Sequence, residues 1–136
     1  MIERSLLLIK PNAVKHKHIG EIISILEHEQ YRFMGMKIFR FDAALAARFY
    51  AEHRGKAFYN KLVEFMTSED TVALILEKEN AIQALRELIG SVEPDLRKPG
   101  TIRYLYGEGI TENGVHASDC LASAKREIEI IFGNQG

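Results

Sequence analysis

At 136 residues the chain is long enough to bury a core without disulfides or metal, and its length predicts one domain spanning residues 1–136. A formal net charge of −1, with 46% apolar and 27% charged residues, excludes a broad nucleic-acid-binding surface and matches an ordinary soluble globular composition. The single cysteine, Cys120, excludes an internal disulfide framework and predicts a reducing, cytoplasmic setting.

In chain order, "RSLLLIKP" predicts a short buried strand stopped by Pro11; its apolar run ends too early for a signal peptide or membrane span. Ile19, Ile22, Ile23 and Leu26 then fall on one face of an amphipathic helix. "YRFMGMKIFRF" alternates, with Met34, Met36 and Ile38 on one side, which predicts a second strand. "DAALAARFYAEH" and "AFYNKLVEFMTS" read as helices, the second with Phe58, Leu62 and Phe65 on one face. "TVALILE" reads as a buried strand and "NAIQALRELIG" as a helix ended by Gly90.

The character then changes. Residues 90–114 hold five of the ten glycines and two of the three prolines, the composition of a long functional loop. Beyond it, "GVHAS" reads as a short strand, and Leu121, Ala124, Ile128 and Ile131 mark the buried stripe of a last helix N-capped by Ser118 or Asp119. The order predicts an α+β fold: a ferredoxin-like split βαβ sandwich, its antiparallel four-stranded sheet packed with helices on one face. That architecture hosts many unrelated functions.

Within "NGVHASD", His116 has three possible roles: nucleophile, general base or metal ligand, beside a purely structural one. A metal site is disfavoured. His16, His18, His28 and His53 form no HxxxH or HxH group with His116, and Cys120 has no partner cysteine. His16 and His18 are only a weak pair in a predicted loop. Ser118 and Asp119 invite a hydrolase triad, yet triad members converge in space rather than along the chain, and no G-x-S-x-G elbow occurs. Lys10, Arg86 and Arg103 each read alone as solvated cations. Converging on His116, they would neutralise a transferring phosphoryl group, where positioning and electrostatics supply most of the catalysis. No G-x-x-x-x-G-K-[ST] P-loop is present, so a nucleotide must be held another way.

Taken together, "IKPNAV" (9–14), "FY" with "HRGKAFYNKLVEFM" (49–66), "PGTIR" (99–103) and "NGVHASD" (113–119) resemble the nucleoside diphosphate kinase family, from about residue 3 to residue 132. The resemblance implies transfer of the γ-phosphoryl group of ATP or another nucleoside triphosphate to nucleoside diphosphates, in two half-reactions through a phosphohistidine at His116. It implies that Lys10, Arg86, Arg103 and Asn113 contact phosphate and sugar. Phe58 would be the stacking platform for the base, and Tyr50 a tyrosine near the catalytic histidine. Glu127, with Ser118 alongside, would be the carboxylate that orients the imidazole. Stacking tolerates any base, because every base has a π-face. Mg²⁺ would arrive on the nucleotide phosphates with no direct protein ligand, Asp119 touching it only through water. The family forms tetramers or hexamers, and a chain ending at "IIFGNQG" favours the tetramer.

The chain departs from the family pattern in places. Val92 stands where a threonine usually contacts phosphate, predicting weaker binding or slower transfer and partial recovery in Val92→Thr. "EPDL" replaces "NPAD", which would place Glu93 and Asp95 near the phosphates. The alternative is therefore a catalytically weakened nucleotide-binding protein of the same fold. RNA binding by the sheet is a third reading, but RNP-like aromatic motifs and a basic face are both missing from the sequence.

Overall fold

A computed structural model describes residues 1–133; residues 134–136, part of the C-terminal stretch behind the tetramer expectation, lie outside the described residues. Strands β1 (Ile2–Ile9), β2 (Arg32–Phe39), β3 (Thr71–Glu79) and β4 (Val115–Ala117) form one antiparallel sheet in the order β2-β3-β1-β4. The helices are α1 (Pro11–Lys15), α2 (Ile19–His28), α3 (Ala43–Phe49), α4 (Tyr59–Met66), α5 (Ala81–Ile89), α6 (Ile102–Tyr106) and α7 (Leu121–Phe132). Short 3₁₀ turns lie at Ala51–His53 and Pro94–Leu96. The split βαβ arrangement is as expected.

Helices cover both faces of the sheet, however, and not one. Leu7 and Ile9 of β1 join Val72, Leu74 and Leu76 of β3 under Ile22 and Leu26 of α2 and Leu85 and Ile89 of α5. Leu6, Leu8, Ala73 and Ile75 face the other way, against Phe49, Leu62, Met66, Ile128 and Ile131 of α3, α4 and α7. The apolar runs of β1 and β3 are unbroken rather than alternating, which is the pattern of strands buried on both sides. Each fully buried leucine contributes about 1.5–3 kcal/mol relative to exposure. Edge strand β2 does alternate, but Met34, Met36 and Ile38 are 37%, 56% and 65% exposed.

Local signals explain most boundaries. Asp42 caps α3 by accepting from the Leu45 N–H at 2.7 Å. Gly90, at φ +87°, ends α5 in the left-handed region, and a Cβ there would meet the Thr101 side chain at 2.6 Å. The last helix starts later than expected: its N-cap is Cys120, whose sulfur accepts from the Ser123 N–H at 3.4 Å, and Leu121 is exposed. Ser118 is instead buried, its N–H donating to the Leu6 carbonyl at 3.1 Å. Nor is the 90–114 stretch irregular throughout. Pro94 opens a 3₁₀ turn, and Thr101 caps α6 by accepting from the Tyr104 N–H at 3.3 Å. Helix α1 begins at Pro11, where a missing N–H removes no helical bond.

Candidate active site

The end of β1 and the start of β4 build the centre of the site. Leu8 pairs with His116 across the two strands, and the Lys10 N–H donates to the Gly114 carbonyl at 2.8 Å. Gly114, at φ +88°, makes the turn that brings Asn113 and His116 to the same end of the sheet as Lys10.

A cleft of about 450 Å³ opens there. Lys10, Tyr50, Phe58, Arg86, Arg103, Asn113, His116 and Glu127 all line it. Of the nine residues singled out in the sequence, only Ser118 is set behind the surface. The His116 Nε2–H donates to Glu127 Oε1 at 2.9 Å, and the Ser118 hydroxyl donates to the same oxygen at 2.7 Å. Ser118 Oγ in turn accepts from the Leu6 N–H at 3.3 Å. This chain fixes the tautomer, because a carboxylate accepts only from the protonated nitrogen. Nδ1 keeps its lone pair. Phe49 packs edge-on to the ring at 5.4 Å between centroids and limits its rotation.

The cationic side is built differently. Lys10 Nζ is buried, with the Thr111 carbonyl at 3.5 Å. Burial, with the Arg103 charge behind it and Glu112 opposing, pushes its pKa down to about 7. Arg103 donates to the Gly90 carbonyl at 2.9 Å and to the Val115 carbonyl at 3.0 Å. Burial, then Arg86 and Arg97, lowers its pKa to about 10, which leaves it cationic at neutral pH. Burial, helped by the Glu127 charge, pushes the Tyr50 hydroxyl up, so it stays a neutral donor. Tyr50 Oη, Arg103 Nε and Asn113 Oδ1 are buried with no partner, half of the six such atoms found among the described residues. Their concentration at one cleft marks a surface organised for a polar ligand.

The outer part of the cleft is apolar. Phe58 is 46% exposed there, with the His53 ring 5.3 Å from it and Leu62 behind. The expected Phe58–Leu62–Phe65 face is therefore split: Leu62 and Met66 face the core while Phe58 caps the helix at the cleft mouth. Val92 and Ile110 close the opposite side. Glu93 and Asp95 are exposed outside the lining, so the acidic residues expected near the phosphates are not in the cleft. His16 and His18 take separate partners, Glu108 at 2.8 Å and Glu21 at 3.0 Å. Sequence reasoning missed Thr111, whose carbonyl faces Lys10, and the 3₁₀ turn carrying Glu52 and His53 into the cleft. No local motif marked either.

An oriented imidazole beside buried cations, with an aromatic shelf at the mouth, is an arrangement suited to phosphoryl transfer from a nucleotide, carried here on a ferredoxin-like sandwich. The family model described as "Nucleoside diphosphate kinase" matches residues 3–136. A nucleoside diphosphate kinase from Histophilus somni (strain 2336) is 44% identical over 131 residues, covering 96% of this chain and 93% of the relative. The solved nucleoside diphosphate kinase of Aquifex aeolicus superposes with a TM-score of 0.93 at 38% identity, covering 97% of this chain and 96% of that one. The Halobacterium salinarum enzyme, solved in complex with CDP, gives 0.94 at 35%, covering 98% and 90%. The chain belongs to the nucleoside diphosphate kinase family and is an enzyme of that activity.

The family uses a divalent metal. Among the described residues no three His, Cys, Asp or Glu side chains gather into a metal-binding group. Besides Glu127, which His116 and Ser118 occupy, the cleft is lined by the carboxylates of Asp119 and Glu52. Such a donor set suits a cation delivered on phosphate oxygens rather than one caged by protein.

Proposed function

We propose that His116 is the nucleophile of a two-step phosphoryl exchange between nucleotides. Nδ1 attacks the γ-phosphorus of ATP or another nucleoside triphosphate, the bond from that phosphorus to the β–γ bridging oxygen breaks, and the diphosphate leaves. A second nucleoside diphosphate then attacks the phosphorus with a terminal β-oxygen, and the P–N bond breaks back to the imidazole lone pair. The observation that supports this reading is the Ser118–Glu127–His116 chain, which leaves one nitrogen unprotonated on a ring that lines the same cleft as Lys10, Arg86 and Arg103.

Glu127 holds Nε2–H and stabilises the ring as its charge changes, with Ser118 as its positioning partner. Lys10, Arg86 and Arg103 bind the phosphates and offset the charge spreading over the equatorial oxygens. Asn113 and Tyr50 supply neutral polar contacts near the sugar and phosphates. Phe58 stacks the base, which accounts for a broad choice of nucleotides. Mg²⁺ carried by the nucleotide phosphates would neutralise part of their charge, and Asp119, a carboxylate of the cleft lining, would meet it through water.

Residues 1–136 form one domain in this reading, since β1 and β3 contribute to both hydrophobic clusters. The exposed Met34, Met36 and Ile38 on edge strand β2 support a homo-oligomer; the preference for a tetramer over a hexamer rests on the family resemblance alone. Among the described residues no helix is long and apolar enough to cross a membrane. A cytoplasmic setting suits the exposed thiol of Cys120.

The test is an intact-mass measurement after incubation with ATP and Mg²⁺ at neutral to alkaline pH, where phosphohistidine survives. Wild type gains one phosphoryl group and loses it to added GDP, whereas His116→Ala gains none and loses activity by roughly 10⁴-fold or more. A wild-type protein that binds ATP yet forms no adduct overturns the covalent route.

A further inference from the structure

Arg97 follows the Pro94–Leu96 turn and is 9% exposed, although its hydrogen-bond acceptors are all backbone carbonyls. Nε donates to the Ser91 carbonyl at 3.0 Å. Nη2 donates to the Val92 carbonyl at 2.9 Å and, twelve residues along the chain, to the Gly109 carbonyl at 2.8 Å. Nη1 lies against Gly107, where an added Cβ would approach it to 2.9 Å.

These carbonyls belong to the two walls of the cleft. Val92 stands on one, and Ile110, Thr111 and Asn113 on the other. Neither wall is part of the sheet. The first is tied within itself by the Glu93 N–H on Ser91 Oγ, the second by the Glu108 and Gly109 N–H groups on the Glu112 carbonyl. Arg103 joins the two walls at their base, from Gly90 to Val115, so Arg97 is a second tie nearer the tips. Only a guanidinium has a planar fork able to hold carbonyls on both sides at once; an ammonium is a single point donor.

We infer that Arg97 is a positioning residue that clamps Ser91 and Val92 to Gly109 and so sets the width of the cleft between Val92 and Ile110. The inference rests on reading this cleft as the nucleotide site. Its three hydrogen bonds all go to neutral carbonyls, the Glu93 charge acts on it from the same wall, and its own charge reaches Arg103.

Two measurements on Arg97→Ala and Arg97→Lys test it: ADP affinity by calorimetry, and amide hydrogen exchange without nucleotide. A mispositioned wall weakens ADP binding about tenfold in Arg97→Ala, within the range that small misplacements reach. Arg97→Lys recovers only part of it. Amides from residue 108 to 113 exchange faster in both variants, while those of α2 and β3 keep their protection. Unchanged exchange at 108–113 overturns the clamp, as does protection lost evenly across the sheet, which would make Arg97 a residue of general stability. Unchanged ADP affinity alongside faster exchange overturns its bearing on the nucleotide. If wild type itself binds no ADP, the reading of the cleft fails, and the exchange comparison still decides whether Arg97 ties the walls.

Discussion

The two ends of the cleft satisfy their polar groups in opposite ways. At the histidine end the chain that holds the imidazole is partnered throughout: Leu6 N–H to Ser118, Ser118 to Glu127, His116 to Glu127. At the cationic end Arg103 Nε and Asn113 Oδ1 are buried without a partner, and Lys10 is buried with a single long contact to a carbonyl. The first end is preorganised by its own partners; the second is left in deficit, which on the proposed function a polyphosphate would make good. Chemistry that reuses one nitrogen for every substrate benefits from a rigid nucleophile. Recognition that must release each product benefits from groups whose best state requires the ligand.

Lys10 is the sharpest test of that deficit. Lys10→Met is expected to lower kcat/KM by roughly 10²–10³-fold, comparable to removing one preorganised donor from a transition-state site. A pH signature should accompany it. The folded pKa of about 7 lies below the ordinary 10.5, so between those values the unfolded chain holds a proton that the folded chain releases. This group's contribution to stability therefore rises with pH across that window. Its charge in the free cleft is lost as pH climbs through about 7. A bound polyphosphate favours the charged form, so binding ADP at pH 8 should take up as much as about one proton. Calorimetry in two buffers of different ionisation enthalpy reads this directly; equal uptake by wild type and Lys10→Met would count against the account.

The other end should respond differently. Glu127→Gln keeps the size of the side chain but offers an amide to the imidazole, so the ring loses its fixed tautomer. The expected loss is roughly 10- to 100-fold in kcat, with KM for the nucleotide little changed, because orientation rather than binding suffers. Ser118→Ala, one bond further back, should lose less. A rise in KM matching the fall in kcat would mean that the two ends are not separable.

The histidine end was legible through the family resemblance, since Glu127 taken alone reads as a solvated helix face, while the elements that carry it could be seen directly. Glu127 follows His116 by eleven residues, and β4 and α7 are both visible from their apolar patterns. The cations were legible only jointly, since a lone arginine reads as solvated. For that reason Arg97 escaped notice: nothing local says that a polar segment will bury a guanidinium against its own carbonyls. Helix α6 was hidden by its length of five residues between glycines, too short for periodicity to register. Phe58 reads as core by spacing, yet it precedes the first turn of α4 and turns into the cleft. Cys120 as a cap was obscured by the better cappers Ser118 and Asp119, of which the former is committed to Glu127.

Val92 gives the smallest expected effect and bears on the cationic end. It lines the cleft, is 40% exposed, and its carbonyl is already held by Arg97 at 2.9 Å, so its backbone position is set independently of its side chain. Threonine is nearly the same shape and exchanges a methyl for a hydroxyl. A hydrogen bond to a charged group is worth about 1.5–3 kcal/mol when buried. At this exposure water competes, and an improvement of about threefold in nucleotide affinity is expected for Val92→Thr, well under that limit. The gain should appear in binding of both di- and triphosphates, since a wall contact that persists through the reaction lowers KM without raising kcat. Should affinity stay the same while kcat rises, the hydroxyl would be acting on the transferring group itself, and the division between a recognising end and a reacting end would have to be redrawn at Val92.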